Sequence, residues 1–440
     1  MSSKDKNRKL IEFALLTALF TWGLLCYGKL GQFMYEGILF ARNIDGRPYV
    51  SDFANHYNAG VLARRCLEQK QEIYNIDVQN NSLKELIAPV VPEQPFYLQY
   101  PPYFFLLAMP LAFMNMNIAW LVWNLLGIGF GAFGLWKLAG LLGYERQSKL
   151  LLLGLAFSSY PAWLSAEIGQ TSIYLLAAAS FMLYFLLSKK PIAAGCTSAL
   201  LMVKLQYAPV FFLIGLIFGR AKFLLSWGLS LAVLLVLSVL MLGVDNVIQY
   251  PHYLLSGETG TAVSGVSSFM MQNFRGELVL LFRGDNSAVK IISLVIFALG
   301  TAFSSYLLIR SGSAPASSGD DPVRSRLEAS APRLALAIMI ALMVSPHTHV
   351  QDYLLLAVAA AFLFAPGLPG SAGFQPASTS ITQRAIDSKA RSMLYWFPLL
   401  SWFFFYTQPF LALVYFQPFF FYLLTILLLS MPSLFNRQAV

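Results

Sequence analysis

The chain has 440 residues, 57% of them apolar and only 12% charged, and its mean hydropathy is +0.62. Soluble domains carry about 25% charged residues, so a large soluble domain is excluded. The net charge of +9 is no argument for nucleic acid, which is not an expected partner, because Lys and Arg on a membrane protein chiefly mark the cytoplasmic side.

Apolar runs of spanning length recur from Leu10 to Pro432. They are too long and continuous for barrel strands, and lipid leaves only helices as the alternative. The expected fold is therefore an all-α polytopic membrane protein, one integral membrane domain over 1–440, with about 12 transmembrane helices. The chain starts with the basic stretch MSSKDKNRK, but Glu12 interrupts the apolar run behind it and no small-residue cleavage site follows. The expectation is an uncleaved first span, 10–27, with its N-terminus inside.

Residues 41–100 then form a long loop with a helix from about Asp52 to Gln69, a turn near IYNIDVQNNS and a second short helix near 82–88. Segment 102–114 is bracketed by Pro101, Pro102 and Pro110 and reads as a re-entrant or interfacial helix. Further spans are expected at 118–140, 149–166, 171–188, 191–205, 207–219 and 223–243. A second long loop, 244–287, precedes a span at 288–310. The Ser, Ala and Pro-rich stretch 311–332 reads as a flexible linker. Spans at 334–346 and 351–366, a similar spacer at 367–383, and spans at 393–407 and 410–432 complete the chain.

Charge sets the orientation. With 102–114 not spanning, the inside face receives 19 of the 30 basic residues, and six of the other 11 lie in the long stretch 41–100. Both termini and 311–332 then lie in the cytoplasm, and 41–100 and 244–287 lie outside. Cys26, Cys66 and Cys196 have neither metal spacing nor the even count of a disulfide framework.

The polar residues that lipid would not tolerate gather at the outer helix ends. Asp52 follows Ser51, so a capping aspartate in a first helical turn explains it, and so does a general base at the membrane surface. His56, four residues on, shares its face and is placed to orient or tune it. Tyr97, Tyr100 and Tyr103 suit an interfacial aromatic belt, or one wall of a lipid-facing groove. Glu167, Gly169 and Gln170, in AEIGQTS, are too polar for lipid and face a cavity. Lys204, in LMVKLQYAP, either snorkels to the interface or meets a phosphate. SPHTHVQDY brings His347, His349 and Asp352 together. Their spacing is no zinc pattern, so no metal is expected, and contacts to a sugar or phosphate fit better. Arg275 adds a cation to the same face.

Taken in order, an aspartate followed by YNAGVLA, then IYN, YPP, GQTSIYLL, a lysine ahead of a proline, and SP with DYLLL resemble glycosyltransferase family 87. This is the GT-C, polyprenyl-phosphate-mannose-dependent mannosyltransferase type, and the likeness runs over roughly 50–365. It lacks a Gly-rich lead-in to IYN. The resemblance implies a GT-C-like bundle with a helical first extracytoplasmic loop, in the cell (inner) membrane. It implies inverting transfer of a hexose, mannose in type, from a polyprenyl-phosphate donor to a lipid or glycan acceptor on the extracytoplasmic face. Asp52 occupies the position of the base. Lys204 and Arg275 would hold the donor phosphate, and Gln170, His56, His347, His349 and Asp352 would line the donor site, with no cofactor. A lipid or sugar transporter or flippase is the rival reading, since it too places ionisable groups in a membrane cavity. A non-catalytic membrane scaffold is a third.

Overall fold

The computed structural model describes residues 3–35, 51–91, 98–259, 271–312, 330–365, 396–397, 400–404, 422 and 424–425. The spacer 367–383, most of the linker 311–332, and all but a few residues of the last two expected spans lie outside them. Among the described residues every regular element is a helix.

In chain order these are α1 (Ser3–Tyr35), α2 (Asp52–Gln69), α3 (Ile76–Ile87), α4 (Pro102–Ala108) with a 3-10 turn Met109–Phe113, and α5 (Met116–Leu141). Next come α6 (Arg146–Phe157), α7 (Tyr160–Glu167), α8 (Ser172–Leu187), and α9 (Pro191–Ala199) with a 3-10 turn Leu200–Val203. Then follow α10 (Ala208–Leu242), α11 (Val244–Thr259), α12 (Phe274–Leu281), α13 (Ser287–Gly312) and α14 (Ala331–Val344). A 3-10 turn Val350–Leu355 leads into α15 (Leu356–Leu363).

Among the described residues, four stretches are long and apolar enough to cross a membrane: Phe13–Phe33, Met116–Leu141, Ala208–Leu242 and Ser287–Arg310. The other apolar helices are shorter than the expected spans. At α10 the apparent single helix turns back on itself. Arg220 has φ 52 and ψ −143, outside the helical region, and Gly215 and Gly219 let the Phe223 ring close against the first arm. The expected pair 207–219 and 223–243 thus appears as two arms joined at Arg220.

The expected continuous span 149–166 is instead broken into α6 and α7. Ser159 is extended and Pro161 lies in the first turn of α7, where it can offer no N–H to the Phe157 carbonyl. Side chains satisfy the freed carbonyls: Tyr27 Oη donates to Phe157 O at 3.1 Å and Trp402 Nε1 to Ser158 O at 3.0 Å. The expected turn through IDVQNN is likewise helical. Asn75 caps α3 by accepting from the N–H groups of Asp77 and Val78, so the asparagine starts a helix where it was read as part of a turn.

Helices approach closely where small residues line them up. Gly127 and Gly134 on α5 meet Ile173 and Phe181 on α8, and Gly195 on α9 lies against the α10 backbone at Phe223 and Trp227. Close backbone contact of this kind drives helix association where lipid removes the hydrophobic incentive. The outward faces are apolar, with Leu225 and Leu240 more than 70% exposed, as a lipid-facing surface requires.

Helix α2 has the bounds expected of it and lies across one end of the bundle. Ser51 caps it by accepting from Ala54 N–H. Tyr57 donates to Met114 O at 2.7 Å and Arg64 to Ala112 O at 3.1 Å, which clamps α2 onto the turn after α4. Gly60 permits the contact, since a Cβ there would stand 2.4 Å from Ala108 O. Asn58 joins α2 to α3 through Gln79 O and Ser82. Segment 102–114 is thus a 7-residue helix and a 3-10 turn, both held against α2.

Candidate functional site

The site is built where four chain segments end on one side of the bundle. The first turn of α2 is bonded to the α7–α8 junction, with Phe53 N–H donating to Ile168 O at 2.7 Å. Gly169 makes this possible in two ways. Its φ of +67 is a left-handed conformation, and a Cβ there would lie 2.4 Å from the Cβ of Phe53. The next residue, Gln170, is thereby set beside Asp52, and its Nε2 donates to Asp52 Oδ2 at 2.5 Å. Gln170 Oε1 accepts from Thr171 N–H, which fixes which end of the amide faces the carboxylate.

Two residues on, Ser172 opens α8 and leads to a second carboxylate. Asp352 is wholly buried and accepts from four donors: Ser172 Oγ at 2.5 Å, Lys204 Nζ at 2.5 Å, Tyr207 Oη at 2.9 Å and the His349 N–H at 3.3 Å. A buried carboxylate this well supplied is held ionised opposite the Lys204 ammonium. Lys204 therefore does not snorkel; it lies inside, ion-paired, and also reaches Ser172 Oγ at 3.4 Å.

Asp52 is only partly buried. Burial nonetheless pushes its carboxyl above the usual carboxylate range; the Gln170 hydrogen bond and the Lys204 charge pull it back, and Asp352 adds to the rise. A base is useful when its pKa approaches the working pH, so this shift favours proton acceptance.

His56 does not orient Asp52. Its Nδ1 pairs with Gly169 O at 3.0 Å and its Nε2 with Tyr100 Oη at 2.9 Å. Burial among Tyr100, Phe104 and Trp123 pushes the ring down to about 3, so it is neutral. Arg275 is not a free cation either. Its Nε and Nη2 fork onto Asp285 at 3.2 and 2.8 Å, and Nη1 points at His347 Nε2 at 3.3 Å. The His347 carbonyl also accepts from Gln206 at 3.5 Å. Asn273 ties the segment before α12 to the carbonyls of Ser345 and Thr348.

Asp52, Gln170, Lys204 and Asp352 therefore form one connected group, with His56 one partner away through Tyr100 and Gly169. His349 joins it by its backbone, and Arg275 with His347 forms a flanking cluster. Sequence reasoning missed Tyr100, read as an interfacial tyrosine, and Ser172, Tyr207 and Asp285. Ser172 and Tyr207 lie inside motifs that it quoted, so their polarity in apolar surroundings was the available signal.

Fold and site together define a helical protein of membrane type with a buried ionic centre at one end of its bundle. Residues 97–366 match glycosyltransferase family 87, and the chain belongs to that family; it is a glycosyltransferase. The matched stretch contains Tyr100, Gln170, Lys204, Arg275 and the 345–352 segment, and begins after Asp52 and His56. No curated protein and no solved structure gives a match.

Proposed function

We propose that this glycosyltransferase moves a hexose, mannose by its family resemblance, from a polyprenyl-phosphate donor to a lipid or glycan acceptor at the extracytoplasmic face, with inversion. The observation that carries the reading is a partly exposed carboxylate, Asp52, held by Gln170 at the same end of the bundle as the Lys204–Asp352 pair.

In this reading the acceptor hydroxyl attacks the anomeric carbon on the face opposite the phosphate. The carbon–oxygen bond to phosphate breaks, the hydroxyl proton passes to Asp52, and polyprenyl phosphate leaves with the bonding pair. Asp52 contributes through general base catalysis, of order 10²- to 10⁴-fold. The Lys204 ammonium has three protons; Asp352 and Ser172 take two, and the third is left for a phosphate oxygen. The N-terminus of α8, at the same place, adds a favourable dipole for an anion.

The test is transfer by purified full-length protein in vesicles, supplied with radiolabelled polyprenyl-phosphate mannose and a membrane extract. Label entering an acid-stable product supports the reading. Label that crosses the bilayer still on its carrier points to a flippase. Asp52→Asn keeps the shape and removes the base, and transfer is expected to fall at least about 10²-fold. A variant with near-normal turnover removes Asp52 from the mechanism.

A further inference from the structure

Beside Asp52 stands a group that the mechanism above does not use. Tyr100 Oη lies 2.9 Å from His56 Nε2, and which of the two donates is decided one bond further away. His56 Nδ1 faces the carbonyl of Gly169 at 3.0 Å, and a carbonyl can only accept. The Nδ1 must carry the hydrogen. His56 is 1% exposed, walled by aromatic rings, and has no carboxylate bonded to it, so the ring holds one proton and no more. Its Nε2 is then a bare lone pair, and Tyr100 donates its single proton to it.

The Tyr100 oxygen, so arranged, has lone pairs to offer and no proton. The ring is held in place by stacking on Phe104, with centroids 4.1 Å apart. Asp52, also accepting only, lies within electrostatic reach of the phenol. Both residues are partly exposed, whereas Gln170, Thr171, Ser172, Lys204 and Asp352 behind them are buried. The Thr171 hydroxyl is 2% exposed and forms no hydrogen bond that would occupy the phenol oxygen. This edge of the site, where Asp52 and Tyr100 are the partly exposed residues, therefore carries two oxygens that accept hydrogen bonds.

We propose that Tyr100 is a specificity-determining contact of this site: its oxygen, with its proton held by His56, receives a hydrogen bond from a hydroxyl of the bound sugar or of the acceptor substrate. The inference deepens the proposed function and rests on it. Hydroxyl-rich substrates are the chemistry that such an edge recognises, and an analogue lacking that hydroxyl leaves a polar oxygen unpaired.

The experiment is a cycle between Tyr100→Phe and single deoxygenations of the substrates, using the full chain in vesicles. One series consists of monodeoxy-mannosyl polyprenyl phosphates; the other consists of deoxygenated acceptors. Wild type is expected to lose about tenfold in kcat/KM on one analogue, the worth of one hydrogen bond. Tyr100→Phe is expected to lose about tenfold on the parent substrate and to be indifferent to that same analogue. The series in which the coupling appears identifies the hydroxyl as the donor sugar's or the acceptor's. Equal penalties in wild type and variant across both series overturn the proposal.

His56→Gln, whose amide oxygen can take the phenol proton, is expected to keep the discrimination, and His56→Leu to lose it. Equal behaviour of the two removes His56 from the arrangement. Equilibrium binding of the donor series to Asp52→Asn, with and without Tyr100→Phe, reads the donor contact without turnover. A wild type that transfers no mannose but whose Asp52→Asn form shows the binding coupling sinks the proposed reaction and leaves Tyr100 standing. Absence of both transfer and binding overturns both.

Discussion

Asp52 and Asp352 show how surroundings give two aspartates different work. Asp352 has four donors, the Lys204 ammonium among them, so its acceptor capacity is filled. Asp52 has one bonded side chain, Gln170, an exposed edge, and a carboxyl that burial pushes upward. As the proposed base, Asp52 works only when ionised, so activity is expected to be lost as pH falls through its pKa. Because that pKa is raised, the acidic limb of log kcat/KM against pH is expected above the ordinary carboxylate range near 4. Measured profiles with the limb at or below 4 would detach it from Asp52. The Lys204–Asp352 pair belongs to stability as well as to the site. Lys204→Met strands a buried carboxylate, an effect of about 3–5 kcal/mol in comparable pairs. Melting in detergent is expected to show Lys204→Met well below wild type, and Lys204→Met with Asp352→Leu partly restored. A double variant as unstable as the sum of its parts would count against the pairing.

At the scale of elements, the α2–α8 junction decides whether a site exists at all. Ser51 starts α2, Phe53 docks its first turn on Ile168 O, and Gly169 supplies both the backbone conformation and the room. Gly169→Ala is expected to be costly twice over, through positive φ and through collision with Phe53. Its main effect is expected on transfer, because retreat of α2 would separate Asp52, the proposed base, from Gln170. A displacement of about 1 Å can cost about 10²-fold in rate. Transfer assays on variant protein that still elutes as folded material are expected to show a loss of that order. Near-normal turnover would mean that α2 does not need this contact. The helix bounds of α2 were legible locally, since Ser51 and Asp52 make a capping signal. The break between α6 and α7 had a local signal in Ser158, Ser159 and Pro161. What was not legible is that the side chains of Tyr27 and Trp402 satisfy the carbonyls there from outside the helix.

At the scale of the whole molecule, contacts give a test of the threading that charge counting cannot. Asp52, Gln170, Lys204 and Asp352 meet, so the start of α2, the start of α8, the turn after α9 and the turn before α15 lie at one end. That agrees with the parity in which 102–114 does not cross. The basic residues lie at other helix ends: Arg146 and Lys149 open α6, Lys189 and Lys190 join the end of α8 to α9, and Arg310 is in the last turn of α13, the pattern expected of an inside face. Reporter fusions at 146–149 and 189–190 are expected to read as cytoplasmic, and fusions at 70–75 and 283–286 as extracytoplasmic. Both sets reading the same side would overturn the arrangement.

The sequence by itself determined that this chain is helical and apolar, where α2 runs, and which polar residues are out of place in lipid. Those properties are written in composition, periodicity and caps, all of which act over a few residues. Only the tertiary structure decided the pairings: Asp52 with Gln170, Lys204 with Asp352, Arg275 with Asp285, and His56 with Tyr100 instead of Asp52. The first two join residues more than a hundred positions apart, and nothing local distinguishes a lysine that will be ion-paired from one that will snorkel. The difference is made by which helix ends the packed bundle brings together, and burial then forces each charge to find its partner.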